Sequence, residues 1–222
     1  MRTFAEIEAI AIEHKGTQAA LEESLPQPAS DKTLRQTTDD RYLAAMTRCV
    51  FNSGFVWKVI EAKWPDFETV FAGFNPRYNA SLSDEQLEIF ATDTRIVRHF
   101  KKISAVRDNA TFVMRVAEEH GSFGRYISDW PQDDVVGLLK DLKQRGSRLG
   151  GNTGMYFLRF IGKDTFMFSR DVVKTLIDEA IVSKQPTSQR DMQAVQDAFN
   201  QWQAESGRPL CHISRILAAS QG

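Results

Sequence analysis

The amino-acid sequence predicts an all-α protein of about ten helices, and three observations favour this class. Apolar residues recur every three or four positions along most of the 222-residue chain, as they do on one face of a helix. Convincing alternation of apolar and polar residues, the pattern of a half-buried strand, is absent, and so is any internal repeat. Helix-start patterns and glycine stops separate the apolar segments from one another.

Two short helices are expected near the N-terminus. Thr3 and Glu6 have the spacing of a capping box, and apolar residues follow at helical intervals until Gly16. A second short helix is predicted over residues 17–25. The polar stretch over residues 26–38 contains two prolines, which indicates a linker.

Charge distinguishes this N-terminal stretch from the rest of the chain. Residues 1–40 contain eight acidic and four basic side chains, whereas the whole chain contains 29 acidic and 28 basic ones. We therefore expect an acidic helical extension with its linker over residues 1–38. One larger domain is expected over residues 39–222.

The remaining helices follow from caps, apolar spacing and stops. Asp39 is expected to cap the next helix, which Gly54 interrupts before the helical pattern resumes at Trp57. Further helices are predicted from Ser83, which begins a second box-like cap, from Ile96 to about Glu119, from Val135 to Gly146, over 155–161, and near 171–183, 188–204 and 210–219.

Composition excludes several classes of protein. Hydrophobic residues make up 42% of the chain, which is enough for a core, and the net charge of −1 does not by itself indicate a polyanionic partner. No apolar run approaches the roughly 18–20 residues of a membrane helix. Cys49 and Cys211 cannot form a disulfide framework, and the acidic N-terminus differs from a secretory or transit peptide. We expect a soluble protein of the bacterial cytoplasm and nucleoid, without a membrane partner.

Local charge is more informative than net charge. Residues 95–107 contain five basic and no acidic side chains, and residues 140–174 contain eight basic and three acidic ones. Such runs are commonly solvated helix faces, but local basic strips are also how proteins bind a phosphate backbone.

A glycine-rich turn lies within the second basic segment, over residues 144–154. Glycines let backbone N–H groups approach an anion, and the N-terminus of the following helix attracts negative charge. A plain helix connection is the alternative interpretation. The candidate phosphate-binding residues are Arg148, Gly150, Gly151, Asn152, Thr153 and Gly154.

Five segments together resemble the 3-methyladenine DNA glycosylase I family. They are YLAAM at residues 42–46, NSGFVW at 52–57, FETVF at 67–71, FNP at 74–76 and IVRHFKKI at 96–103. The glycine-rich turn is similar to the helix-hairpin-helix of the wider DNA glycosylase superfamily. The resemblance covers roughly residues 40–175 and implies a two-lobed all-α fold with a base pocket between the lobes.

The resemblance implies roles for five residues. Gly54 and Phe55 fall where the family places the residues that intercalate into the gap left by a flipped base. Trp57 falls on the aromatic residue of the base pocket, whose face can hold an alkylated, cationic base by cation–π attraction and stacking. A core residue is the alternative interpretation of Trp57, and Asn52 is expected in the same pocket. Cys49 occupies the position of the family's base-recognising glutamate, so the carboxylate that favours a cationic purine such as 3-methyladenine is missing. A lone cysteine on an apolar helix face is most often a small core residue.

The chain departs from the family in two further ways. The N-terminal Tyr-His and Glu-Trp-Gly motifs are absent. The zinc ligands are not reproduced, because Cys211 and His212 are adjacent and the other histidines lie in other segments. We therefore expect no zinc, no other metal and no cofactor.

Hydrolysis of an N-glycosidic bond develops positive charge on the sugar, which a carboxylate stabilises. In the wider superfamily this carboxylate belongs to an aspartate shortly after the hairpin. Asp171 is the best match and Asp164 the second, although Asp171 is also placed to cap the helix that follows. The Schiff-base lysine of lyase-competent relatives falls on Met155, so a combined glycosylase/lyase is not expected.

The sequence leaves three hypotheses. The first is a monofunctional DNA glycosylase of base excision repair, a monomer that flips a damaged, alkylated purine out of double-stranded DNA and hydrolyses its glycosidic bond. The second is a non-catalytic DNA-binding module on the same scaffold. A third and weaker one is a protein-interaction domain that uses the acidic extension.

Overall fold

The structure, a computed structural model, describes all 222 residues and is helical with no strands. Fourteen α-helices and one 3₁₀ helix are present, and the prediction of an all-α fold is confirmed. The count exceeds ten because three short helices lie in segments where no apolar period indicated them. No helix in this chain is both long enough and apolar enough to span a bilayer.

The helices are α1 (Phe4–Lys15), α2 (Gln18–Glu23), α3 (Asp31–Gln36), α4 (Asp39–Asn52), α5 (Trp57–Val70), α6 (Pro76–Ala80), α7 (Asp84–Thr92), α8 (Phe100–His120), α9 (Phe123–Asp129), α10 (Val135–Arg145), α11 (Asn152–Phe160), α12 (Arg170–Asp178), α13 (Gln189–Ser206) and α14 (Leu210–Ala219). The 3₁₀ helix covers Ala72–Phe74. The short helices that the sequence did not indicate are α3, α6 and α9.

Both predicted capping boxes are present, at Thr3 and at Ser83. The expected cap at Asp39 is wrong. Thr38 precedes α4, and the Asp39 carboxylate instead accepts a hydrogen bond of 2.9 Å from the N–H of Phe123, at the start of α9. Burial raises the pKa of Asp39. Asp39 therefore satisfies the N-terminus of a helix more than eighty residues away in sequence.

The chain forms two compact units. The terminal unit consists of residues 1–29, 131–138 and 162–222, and the central unit consists of residues 30–130 and 139–161. The predicted division into 1–38 and 39–222 is a different partition, and it stays a prediction about independent folding.

In the terminal unit, α1 packs on α13 and α14. Its apolar face buries Phe4 and Ile7, and the backbone N–H of Phe4 donates to Glu205 at 2.8 Å. Arg2 forms an ion pair with the buried Glu179 at 2.5 Å. The N-terminal helix therefore contributes to the core of this unit.

In the central unit, α8 packs against α4, α6, α7 and α9, and α11 packs against α4. The second half of the predicted linker is the helix α3, which packs on α9. Leu34 of α3 is buried, and its carbonyl accepts a 2.7 Å hydrogen bond from the Tyr42 hydroxyl. The sequence does not indicate this helix, because Leu34 is its one buried apolar residue and a single residue shows no period.

Candidate functional site

A cleft of about 250 Å³ lies in the central unit, where the C-terminal end of α4 and the loop over residues 53–56 meet α5 and α11. The residues that line it are Cys49, Asn52, Ser53, Gly54, Trp57, Asn152, Thr153, Tyr156 and Phe160. The structure thus brings all three expected pocket residues, Cys49, Asn52 and Trp57, together with the first two residues of the helix that follows the glycine-rich turn. Tyr156 and Phe160 were not expected from the sequence.

Trp57 is a wall of this cleft rather than a core residue. It begins α5 and keeps 43% of its surface exposed. Its ring makes edge-to-face contacts with Tyr156 and Phe160, at centroid distances of 5.4 and 5.8 Å. The indole stands nearly perpendicular to both rings and part of it stays open to solvent, as a stacking surface for a planar ligand requires.

Asn52 and Cys49 form the buried end of the cleft. Asn52, the last residue of α4, is only 5% exposed, and its Oδ1 is buried without a hydrogen-bond partner. Leaving a buried polar atom unpaired costs about 1–3 kcal/mol. Burial raises the pKa of the Cys49 thiol to about 12, so the side chain is a neutral thiol at physiological pH. Cys49 is both a small buried residue and a lining residue, so the two interpretations of it are compatible.

The loop over residues 53–56 exposes an aromatic ring beside the cleft. Gly54 has φ +79°, a left-handed conformation that disfavours any side chain, and the space around it is open. Phe55 is 37% exposed, and its ring makes an edge-to-face contact with His99 at 6.1 Å. The loop therefore presents one apolar ring to solvent while its backbone turns sharply.

Lys102 of α8 holds this loop in place, a role that the sequence did not reveal. Its ammonium donates to the carbonyl oxygen of Phe51 at 3.2 Å and also to that of Ser53, and it lies 4.4 Å from the centroid of the Phe55 ring. Burial, together with the smaller effect of the charge of Arg148, lowers the pKa of Lys102 to about 8. A cation at the C-terminus of α4 also complements the helix dipole.

The glycine-rich turn connects α10 to α11 and is tightly packed. A Cβ at Gly154 would overlap the carbonyl oxygen of Leu149, so only glycine fits. Asn109 of α8 anchors the turn, since its amide accepts from the N–H of Ser147 at 2.7 Å and donates to the Ser147 carbonyl at 3.1 Å. Asn109 carried no signal in the sequence, because the pair is distant along the chain.

The first turn of α11 is open to a ligand. Gly151 is its N-cap residue and provides no side-chain hydrogen bond to the first backbone N–H groups. Asn152 and Gly151 are exposed, Thr153 and Gly150 are half-buried, and Arg148 is exposed on the turn. This arrangement presents backbone donors and one guanidinium on the same turn.

The two basic segments are less positive than their composition indicated. Arg95 pairs with Asp93 at 2.7 Å, Arg107 with Asp84 at 2.7 Å, and Arg145 with Glu119 at 2.7 Å. Lys102 is buried. The exposed basic residues of the two segments within the central unit are Arg98, Lys101, Lys140, Lys143 and Arg148 together with the ion-paired Arg95.

A second, larger cleft of about 540 Å³ runs between α4 and α5 and shares Asn52, Trp57 and Phe160 with the first. Ion pairs occupy its walls. Arg41 binds Glu68 at 2.9 Å, and Arg48 lies 3.5 Å from Glu61 and 4.2 Å from the Trp64 ring. The carboxylates of this cleft therefore already have basic partners.

The expected catalytic residues lie in the terminal unit. Asp171 is in the first turn of α12, where its side chain is 45% exposed and one oxygen lies 3.7 Å from Arg170. It is not the cap of this helix, because Ser169 is the N-cap and accepts from the N–H of Val172. Asp164 is buried, and its two oxygens accept from the N–H groups of Leu210 and Cys211 at the start of α14.

The structure contains no group of three or more His, Cys, Asp or Glu side chains placed to hold a metal ion. Cys211 and His212 both contact the carbonyl of Pro26, at 3.7 and 2.9 Å. Met155, which the resemblance places at the position of the lyase lysine, is buried.

Comparison with known proteins gives one family match. Residues 33–136 match the family described as methyladenine glycosylase. This match confirms the resemblance proposed from the five sequence segments.

Three solved structures are similar to the chain. A 3-methyladenine DNA glycosylase I from Staphylococcus aureus is 24% identical, with 63% of this chain and 80% of that chain covered and a TM-score of 0.52. A further 3-methyladenine DNA glycosylase I is 21% identical over 65% and 87%, with a TM-score of 0.51. An 8-oxoguanine DNA glycosylase from Methanocaldococcus jannaschii is 13% identical over 95% and 90%, with a TM-score of 0.57. These likenesses confirm the helix-hairpin-helix DNA glycosylase-like fold.

Proposed function

We propose that this chain, which resembles the methyladenine glycosylase family over residues 33–136, is a monofunctional DNA glycosylase that removes an alkylated purine from duplex DNA. The observation that carries the proposal is the shared cleft. Trp57 and Asn52, expected to contact the base, and Asn152 and Thr153, expected to contact the phosphate, line the same cavity. One ligand that consists of a base joined to a phosphate backbone can satisfy both sets of residues.

The flipped base is proposed to stack on Trp57 and to bond to Asn52. A half-exposed indole gives a π-face for stacking, which contributes about 1–3 kcal/mol per base. The amide of Asn52 supplies an acceptor that has no partner within the protein. Cys49 forms the neutral end of the pocket.

Phe55 and Gly54 are proposed to fill the gap that the base leaves in the duplex. The exposed Phe55 ring replaces stacking lost on extrusion, and the left-handed turn at Gly54 lets the loop project it. The attractive contact between Lys102 and the ring restricts its motion before DNA binds.

Arg148, Gly150, Gly151, Asn152, Thr153 and Gly154 are proposed to bind the adjoining phosphate. The uncapped first turn of α11 directs N–H groups and a partial positive charge toward an anion. Arg148 adds a formal charge on the same turn. Phosphate contacts of this kind position the strand and do not read its sequence.

Asp171 is proposed to be the catalytic carboxylate. The bond between the sugar C1′ and the base nitrogen breaks, the electron pair leaves with the base, and water adds to C1′. A carboxylate stabilises the positive charge on the sugar and accepts a proton from the water. Asp171 is partly exposed and, apart from the long contact with Arg170, available for this role.

Base release tests the function. We expect the protein to release free alkylated purine from a methylated or lesion-containing duplex, above the level of a heat-inactivated sample, and to leave an abasic site without strand cleavage. Asp171→Asn should lower the rate about 100-fold or more while duplex affinity is retained. The matched control is Asp178→Asn, an exposed carboxylate on the same helix. Equal rates for the two variants would remove Asp171 from the mechanism.

A non-catalytic DNA-binding module is the second candidate, and the replacement of the family's glutamate by Cys49 is the observation that favours it. This alternative predicts salt-dependent duplex binding and no base release with any lesion.

We further propose that the protein acts as a monomer in the bacterial cytoplasm or nucleoid. Sedimentation of the free and the DNA-bound protein would test the oligomeric state, and imaging of a tagged chain would test the location.

A further inference from the structure

We propose that the alkylated purine accepted by this cleft is one that carries no positive charge, a substrate class different from N3- or N7-methylated purine nucleotides, which are cationic. The inference rests on the proposed function and narrows its substrate. It follows from the charge and the hydrogen-bonding capacity of the residues that line the cleft.

None of the nine lining residues bears a carboxylate or a basic group. The residue at the buried end, Cys49, is a neutral thiol, because burial disfavours its thiolate. A cationic base in this cleft would gain cation–π attraction to Trp57 of about 0.5–2 kcal/mol, but it would lose its hydration and find no counter-charge. Unpaired charges in such sites cost several kcal/mol.

The charged residues beside the cleft do not supply that counter-charge. Lys102 donates to the carbonyl of Ser53, which lines the cleft, so the neighbouring charge is positive. Glu61 and Glu68, in the adjoining cleft, pair with Arg48 and Arg41. The positive charge of Lys102 therefore disfavours a cationic base in the cleft.

Asn52 supplies neutral recognition in place of a carboxylate. Its buried Oδ1 has no partner within the protein, and a side-chain amide presents an acceptor beside a donor. A neutral purine edge offers the complementary pair, as in the bidentate contacts that asparagine makes to adenine. The Asn52 Oδ1 therefore suits the hydrogen-bonding edge of a neutral base and not a charged group.

A neutral base is also a poorer leaving group than a cationic one, because no positive charge on the ring receives the electron pair. Its hydrolysis therefore needs more stabilisation of the sugar cation and a proton donor for the departing nitrogen. Asp171 meets the first demand by stabilising the sugar cation, and the proton that water releases on adding to C1′ passes to the departing nitrogen, which leaves a neutral base and a hydroxyl on the sugar.

Binding of matched lesions tests the inference without relying on catalysis. The probes are duplexes with one lesion on a 2′-fluorinated sugar, which blocks bond breakage. O6-methylguanine and 1,N6-ethenoadenine are the neutral lesions, and 7-methylguanine and 3-methyladenine are the cationic ones. We expect at least one neutral lesion to bind about tenfold tighter than both cationic lesions and than undamaged duplex. A cationic lesion bound as tightly as the neutral ones, or no neutral lesion distinguished from undamaged DNA, would overturn the inference.

Variants at the buried end of the cleft give an independent readout. Cys49→Glu restores a carboxylate and should shift the preference toward 7-methylguanine, whereas Cys49→Gln, of the same size without the charge, should not. Asn52→Leu should abolish discrimination between neutral lesions and undamaged duplex. If Cys49→Glu does not fold, the wild-type comparison and Asn52→Leu still decide the matter.

Failure of the proposed function has a different signature. With ordinary sugars, fast release of cationic lesions and slow release of neutral ones would overturn this inference and support the glycosylase. Selective binding of a neutral lesion without release of any base would support this inference and contradict the enzyme assignment.

Discussion

Replacing Lys102 with methionine should loosen the loop that carries Phe55. The substitution keeps an unbranched side chain but removes two charge-assisted hydrogen bonds, to the carbonyls of Phe51 and Ser53, and one cation–π contact. Hydrogen bonds from a charged donor contribute about 1.5–3 kcal/mol each. The lowered pKa of Lys102 shows that desolvation of the ammonium offsets part of this gain.

We therefore expect a net loss of about 2 kcal/mol in the free energy of unfolding for Lys102→Met. In a protein of this size the midpoint of thermal unfolding should fall by about 4–8 °C. Affinity for duplex DNA should also fall, because a mobile Phe55 must be ordered on binding.

The assays are thermal unfolding followed by circular dichroism and duplex binding at fixed salt. Lys101→Met is the matched control, since it removes the same charge from the neighbouring, exposed position of α8. Identical unfolding midpoints and affinities for the two variants would refute the anchoring role of Lys102.

Three further predictions concern the hairpin, the pH dependence and the N-terminus. Gly154→Ala should cost about 1–3 kcal/mol and weaken duplex binding, because its Cβ overlaps the Leu149 carbonyl. Gly150→Ala should change the free energy of unfolding little, since its Cβ meets only the flexible Lys143 chain, and equal losses of stability for the two variants would contradict the packing argument. The pKa of Lys102 is about 8 in the folded protein, whereas the ordinary pKa of a lysine, 10.5, applies in the unfolded chain. Between pH 8 and 10.5 the amine is therefore protonated in the unfolded state and neutral in the folded state. The contribution of Lys102 to stability should therefore rise with pH from about 8 to about 10.5, and denaturant titrations should find the gap between wild type and Lys102→Met widening there. Deleting residues 1–38 should unfold the terminal unit and not simply remove an acidic arm, because α1 buries large apolar side chains at about 1.5–3 kcal/mol each. A truncated protein with unchanged unfolding and circular dichroism would show that the extension is independent of the core.

Part of the candidate site was accessible from the sequence. The resemblance assigns roles to Asn52, Gly54 and Trp57, which all lie within residues 52–57. Because they are so close along the chain, the sequence already indicates that they are close in space. The glycine-rich turn between two amphipathic helices was recognisable from composition and spacing. What could not be foreseen was that Tyr156 and Phe160 of α11 complete the cleft, because the packing of α11 on α4 is a long-range contact.

Charge was the least predictable property. A count of charged residues in the sequence treats Arg95, Arg107 and Arg145 as unpaired cations. In the structure each of them forms an ion pair with an acidic side chain. Lys102 counts as one more surface cation, yet it is buried beneath the loop over residues 53–56. Pairing and burial depend on which elements meet, which linear spacing does not encode.

The amino-acid sequence alone determined the helical class, the capping boxes at Thr3 and Ser83 and the glycine turn, because caps, stops and apolar periods are local effects over a few residues. Only the tertiary structure decided that Asp39 serves α9, that Asn109 and Lys102 brace the turn and the loop, and that the cleft carries no charge. Those features depend on groups brought together from distant parts of the chain, where burial and mutual contact set the energy of each atom.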